Sequence, residues 1–142
     1  MARIEIDFSD SGLGFQVDLA VRTSDVNGAA HLGNEGMVAM LSEARAAYLA
    51  HHGFDENGAE GVGIIVTDLA TIFQRECFYG DLLRFNVGLT DLNRYGGDFV
   101  FRVTRGSDDE AVARAKYGFV FFDYSKRCVT PWPEAMRRKF GV

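Results

Sequence analysis

Asp25, Asn27, His31 and Asn34 fall within ten residues, interleaved with Gly28, Ala29, Ala30 and Gly33. Carboxylate, amide and imidazole groups are the ones that accept, orient and donate protons. The small residues between them let backbone N–H groups approach a ligand closely. The run leads directly into a segment of helical periodicity. A helix start carries unpaired N–H groups and the positive end of the dipole, so it can hold a carbonyl oxygen that gains negative charge. The same residue types also suit a loop with no ligand. Asp25 and Asn27 would then form Asx turns, Asn34 would cap the helix and His31 would bond to the backbone. Composition alone leaves both readings open.

The elements around this cluster follow from periodicity. Over 34–52, Met37, Met40 or Leu41, Ala44 and Tyr48 recur at steps of three and four, which predicts a helix of about five turns. Asn34 is its expected N-cap, Glu35 lies in its first turn, and Gly53 suits C′. Ala39, Ala44, Ala46, Ala47 and Ala50 keep it slim enough to pack closely on a sheet. A strand is expected over 15–23, before the helix. After Gly61, beyond a glycine-marked stretch at 53–63, the period becomes two. Ile65, Thr67, Leu69, Thr71 and Phe73 share one face, and Leu83, Phe85, Val87 and Leu89 share another. Phe99, Phe101 and Val103 follow, then Ala111, Ala113, Ala115, Tyr117, Phe119 and Phe121. Long alternating strands joined by short turns predict an antiparallel meander with one buried face. A short closing helix is expected over 133–140. One helix against one antiparallel sheet of five or more strands makes an α+β two-layer domain, spanning 1–142 without linker or repeat.

Composition sets the outer bounds. The 142 residues are 47% hydrophobic and 25% charged, with 12 Phe, enough apolar material for a packed core and too much for disorder. Nine of those Phe lie at or after Phe73, mostly at alternate strand positions. Phe119, Phe121 and Phe122 break the alternation, so one of them must face outward or into an interface. A formal charge of -5 argues against a nucleic-acid or anionic-membrane binder. No apolar run approaches the about 20 residues of a membrane span. The start, with Arg3 and no apolar stretch after it, does not read as a secretory signal, so a cytoplasmic protein is expected. Cys77 and Cys128 are then reduced thiols. Without CxxC, HExxH or a Cys/His cluster, no metal site is expected.

The stretch VRTSDVNGAAHLGNEGMVAMLSEARAAYL resembles the signature of hotdog-fold acyl-CoA thioesterases of the 4-hydroxybenzoyl-CoA thioesterase superfamily. That pattern has an apolar-Arg strand end, D-x-D-x-x-G-H-V-x-N, and a helix with E-A-R-x-x-Y/F. Here Val21, Arg22, Asp25, His31, Leu32, Asn34, Glu43, Ala44, Arg45 and Tyr48 supply it. FQRECFYGDLL is similar to the family's Y-x-x-P-x-x-x-G-D-x-L, filled by Phe73, Gly80, Asp81 and Leu83, with Glu76 or Cys77 in place of Pro. The resemblance implies a long central helix wrapped by a curved antiparallel sheet, in a dimer or tetramer with active sites at the dimer interface. It also implies hydrolysis of an acyl thioester on coenzyme A or an acyl carrier protein. Coenzyme A enters only as part of the substrate, with no separate cofactor. The N–H groups of Gly33 and Asn34 would polarise the thioester carbonyl.

One position departs from the pattern. The family's second Asp, its catalytic carboxylate, is Asn27 here, and an amide is neither nucleophile nor base. Three options follow: water oriented by Asn27, water activated by Glu43 or Asp25, or no hydrolysis. The enediyne-polyketide thioesterases, a branch of the same fold, use an Asn at this position and an Arg on the helix. Asn27 and Arg45 have the same separation, which implies that Asn27 orients substrate or water and Arg45 contributes charge. Glu43 and Arg45 point about 200° apart on a helix, so one pocket of one chain cannot take both. Arg84, Arg94, Arg102, Arg114 and Lys116 are strand cations able to meet coenzyme A phosphates, with none singled out. Two alternatives remain. R-specific enoyl-CoA hydratases share the fold and use D-x-N-P-x-H, to which Asp25, Asn27 and His31 are similar, but here the spacing is one residue longer and Pro is missing. The other is a non-catalytic acyl-thioester-binding module.

Overall fold

The computed structural model describes residues 3–55 and 61–142, so the middle of the glycine-marked stretch at 53–63 lies outside the described residues. Strand β1 (Phe15–Ala20) precedes helix α1 (Asn34–His51). Strands β2 (Val62–Phe73), β3 (Leu82–Thr90), β4 (Gly96–Arg105) and β5 (Ala111–Asp123) follow, then β6 (Cys128–Thr130) and helix α2 (Glu134–Phe140). All pairings are antiparallel, in the order β1-β3-β4-β5-β2, with β6 added beside the end of β5.

The expected meander holds for β3, β4 and β5 but not for β2. Strand β3 has β1 on one side and β4 on the other, so β2 takes the far edge beside β5. Residues 74–81 carry the chain between these distant places, which a tight hairpin could not do. A bulge between Val66 and Asp68 also breaks the predicted single face of β2. Val66, Leu69 and Phe73 still stand opposite buried Phe119, Tyr117 and Ala113 on the same face, but are exposed on this edge strand. Strand β1 is shorter than the periodicity indicates. Its continuation is diverted when the Val21 N–H bonds the Asp81 carbonyl (2.9 Å) and residues Thr23–Asp25 close a 3-10 turn. The brief β6 was not signalled by alternation.

Helix α1 buries Met37, Met40, Leu41, Ala44, Tyr48 and Leu49 against one face of the sheet. The sheet answers with Phe85, Phe99, Phe101, Phe119 and Phe121, all buried. Each such ring contributes about 1.5–3 kcal/mol of burial. Phe122 points to the other face and meets Tyr124 at 5.3 Å between ring centroids, which accounts for the broken alternation. On that outer face, Arg114 donates to the Ile6 and Phe8 carbonyls and stacks on the Phe8 ring. The N-terminal segment is thereby held across the sheet, with Asp10 pairing Arg102 and Arg114. Helix α2 closes one end, where Phe140 meets Trp132 and Tyr48.

Candidate active site

Two loops build the site, and neither is positioned by its own sequence alone. The first, 21–33, joins β1 to α1; the second, 74–81, joins β2 to β3. Backbone bonds lace them together: Gly80 N–H to the Val21 carbonyl (2.9 Å) and Leu32 N–H to the Cys77 carbonyl (2.8 Å), besides the Val21–Asp81 bond. His31 and Phe78 add a bridge pair. The Asp81 carboxylate accepts the Phe78 N–H at 2.9 Å, and Gly80 takes φ +87, a left-handed conformation that glycine adopts without penalty. The Gly80-Asp81 pair is thus a clip that fixes the second loop on the first.

Asn27 organises the first loop. Its Oδ1 accepts the N–H groups of Ala29 (3.0 Å) and His31 (3.3 Å), while its backbone exchanges bonds with His31 and Ala30. The Asx-turn reading therefore describes its oxygen. Its Nδ2 amide lies toward Gly33, 3.9 Å from where a Cβ on that glycine would stand.

The start of α1 needs a correction. Gly33, not Asn34, is the N-cap, and no side chain caps the helix. The Gly33 N–H is not offered to a ligand either, because it donates to the Asp25 carbonyl at 3.1 Å. Gly33 is buried and Asn34 exposed, since the cap position is pressed against Asn27. The N–H groups of the first turn, beginning with Asn34, have no acceptor within the helix. These are the groups that can face an anion or a polarised carbonyl.

A hollow of about 340 Å³ opens at this helix start, lined by Asn27, His31, Gly33 and Asn34 from the first loop and by Gln74, Arg75 and Glu76 from the second. His31 Nδ1 lies 3.2 Å from Glu76 Oε1, and its ring meets Phe78 edge to face at 5.3 Å. Arg75 is paired with Glu110 at 3.0 Å. Sequence reasoning did not place Gln74, Arg75 or Glu76 in the site. The one available signal was that Glu76 or Cys77 takes the place of the resembling motif's Pro.

Asp25 and Glu43 are elsewhere. They line a second hollow of about 500 Å³, with Arg22, Leu19, Ala20, Ala39 and Met40. Asp25 is buried and accepts the Arg22 N–H at 2.9 Å and the Arg22 guanidinium at 3.2 and 3.3 Å. That guanidinium hydrogen bond holds its carboxyl below the usual carboxylate range, against the opposing effect of burial. Asp25 is thus a fully engaged structural acceptor. Arg45 lies on another face of α1, 5.4 Å over the Tyr117 ring. Cys77 is buried, and burial pushes its thiol up to about 11, out of the range of a nucleophile at neutral pH. Cys128 is exposed, and both thiols are free. Of the cations expected on strands, Arg84 pairs with Asp18 and Lys116 with Asp98, while Arg94 lies in the turn between β3 and β4 and stacks on Tyr95. Among the described residues, no group of three or more His, Cys, Asp or Glu could hold a metal ion, and no helix is long and apolar enough to cross a membrane.

A long helix laid on an antiparallel sheet in this strand order is the hotdog fold. The chain belongs to the Thioesterase-like superfamily, whose family model matches residues 21–140. Among solved structures, a 1,4-dihydroxy-2-naphthoyl-CoA thioesterase from Synechocystis is similar at TM-score 0.80 and 17% identity, covering 87% of this chain and 92% of that one. YbaW, a probable thioesterase from Escherichia coli, is similar at 0.76 and 23%, covering 88% and 95%. A hypothetical protein from Staphylococcus aureus, solved in complex with CoA, is similar at 0.82 and 13%, covering 89% and 81%. No curated protein matches the chain significantly.

Proposed function

We propose that the protein hydrolyses an acyl thioester, carried on coenzyme A or an acyl carrier protein, to a free acid and a free thiol. The observation that carries this reading is the hollow at the start of α1. It combines unpaired first-turn N–H groups with Asn27 and His31 on one wall. A thioester carbonyl lodged there would meet N–H groups aimed at the oxygen that becomes negative on attack. Asn27, with Oδ1 occupied by the loop, offers Nδ2 as a donor that orients substrate or water. His31 completes the wall. Asp25, Glu43 and Arg45 have no place in this hollow of their own chain. Coenzyme A is part of the substrate, and the reaction as drawn needs no further cofactor. Family membership supports the reading, as do neighbours whose names specify CoA thioesterases or bound CoA.

The acting form is proposed to be a homodimer or homotetramer of a single-domain chain. Strand β2 ends the sheet, and a sheet end carries backbone groups able to pair with another strand. The same strand exposes Val66, Leu69 and Phe73.

The test is incubation of the purified protein with a panel of acyl-CoAs and a thiol reagent. Release of free coenzyme A is the expected result. Hydration of enoyl-CoA substrates without thiol release would replace this reading with a hydratase. Tight binding without turnover would leave an acyl-thioester-binding module. Sedimentation or light scattering checks the oligomer.

A further inference from the structure

We infer that Glu76 is a positioning residue for hydrolysis: it holds His31 as the base that takes a proton from the attacking water, replacing the carboxylate that position 27 lacks. The inference rests on the thioesterase reading above. Two departures from the resembling motifs carry it. Asn27 stands where the first motif has an acid, and Glu76 is, with Cys77, one of the two residues that take the place of the second motif's Pro. They are far apart in the chain, yet the lacing of the two loops puts both on one small hollow.

The contact between Glu76 and His31 is 3.2 Å, with the Glu76 side chain 65% and the His31 side chain 33% exposed. So exposed a pair adds little to stability, so folding alone gives no reason for it. Its geometry suits catalysis. A carboxylate only accepts hydrogen bonds, so a hydrogen on Nδ1 would face Glu76 and leave Nε2 as the basic nitrogen. The His31 backbone is held by its N–H bond to Asn27 Oδ1, and its ring packs against Phe78. Asp25 lines the other hollow, where Arg22 bonds its carboxylate.

Water oxygen bonds the thioester carbon while Nε2 takes its proton, and the carbonyl π pair moves to oxygen beside the first-turn N–H groups of α1. The C=O then re-forms as the C–S bond breaks. The proton on Nε2 passes to the departing sulfur. Acid and free thiol leave, and His31 and Glu76 end unchanged.

The experiment compares wild type, His31→Ala, Glu76→Gln, Glu76→Asp and the His31→Ala/Glu76→Gln double variant on the acyl-CoA panel, with thermal unfolding alongside. Loss of a general base removes about 10²–10⁴ in rate, so His31→Ala is expected in that range. Glu76→Gln is expected to lose about tenfold or more in kcat, with KM and unfolding midpoint unchanged, and Glu76→Asp to recover part of it. The double variant is expected to be no slower than His31→Ala, because Glu76 acts only through His31. An active wild type with an unaffected Glu76→Gln, or losses that multiply in the double variant, overturns the assignment and leaves the thioesterase reading intact. A wild type that releases no thiol overturns the thioesterase reading, and the assignment with it.

Discussion

The two hollows flanking α1 each contain an acid beside a nitrogen base, yet they are chemically opposite. In the larger, Asp25 is buried and its oxygens take three donors from Arg22. A guanidinium never gives up its proton at working pH, so this pair is a lock. In the smaller, Glu76 meets His31, and an imidazole can gain a proton on one nitrogen while the other is held. The partner of the carboxylate, more than the carboxylate itself, decides whether a pair fastens a loop or moves a proton. The comparison also shows how one short motif is divided. Asp25 and Asn27 are two residues apart, but Asp25 is tied to Arg22 while Asn27 lines the smaller hollow.

The strongest way to break this comparison is at Asn27. Asn27→Ala removes both the loop acceptor and the Nδ2 donor, and is expected to lower kcat/KM by about 10²–10³, the cost of one oxyanion-type donor. Asn27→Asp keeps the acceptor for Ala29 and His31 and replaces the Nδ2 donor by a carboxylate able to act as a base, and is expected to retain or exceed the wild-type rate. Wild-type rates for both in the thiol-release assay would remove the chemistry from this hollow.

Gly36 probes the scaffold. A Cβ there would collide with the Asp25 carbonyl oxygen, which is backbone and cannot swing aside. Gly36→Ala is expected to destabilise the fold by about 1–3 kcal/mol, read by denaturant unfolding.

Asp25 sharpens the lock. Its carboxyl is held below the ordinary range, first by the Arg22 side-chain hydrogen bond. A depressed acid stabilises the fold fully above its unfolded value and loses that contribution as pH falls through its folded value. Asp25→Asn is therefore expected to flatten part of the stability loss between about pH 5 and 2. Asp108 and Asp123, also depressed by their own hydrogen bonds, retain the remainder. Equal acid sensitivity in the variant would count against the lock.

The smallest expected effect is at Glu43, which lies in the larger hollow. Glu43→Gln is expected to lose less rate than Asn27→Ala. A loss as large would shift the chemistry to the second hollow.

Much of this was legible in the chain. The period of Met37, Leu41, Ala44 and Tyr48 gave α1, and alternation gave the buried faces of β3, β4 and β5, except at the start of β5, where a register irregularity leaves Ala111 exposed and buries Val112. Gly53 lies just past the helix with φ +81, as a C′ glycine should. The strand–helix–strands order and the two motif segments gave a hotdog-type α+β fold. The pairing of β2 with β5 was hidden, because alternation says which face a residue takes and nothing about which strand lies beside it. The cap was misplaced because Gly33 has no side chain to announce it. Its position follows from packing against Asn27 and a bond to Asp25.

By itself, then, the sequence determined the elements, the buried faces and the residue types gathered at the start of α1. Periodicity and turn chemistry are local, and a linear string carries them. Only the tertiary structure divided Asp25 from Asn27, withdrew the Gly33 N–H and set Glu76 against His31. The approach of Glu76 to His31 depends on backbone bonds between loops more than forty residues apart, and the bonds of Asp25 to Arg22 and Gly33 depend on how the first loop folds; distance in space is not written in the spacing along the chain.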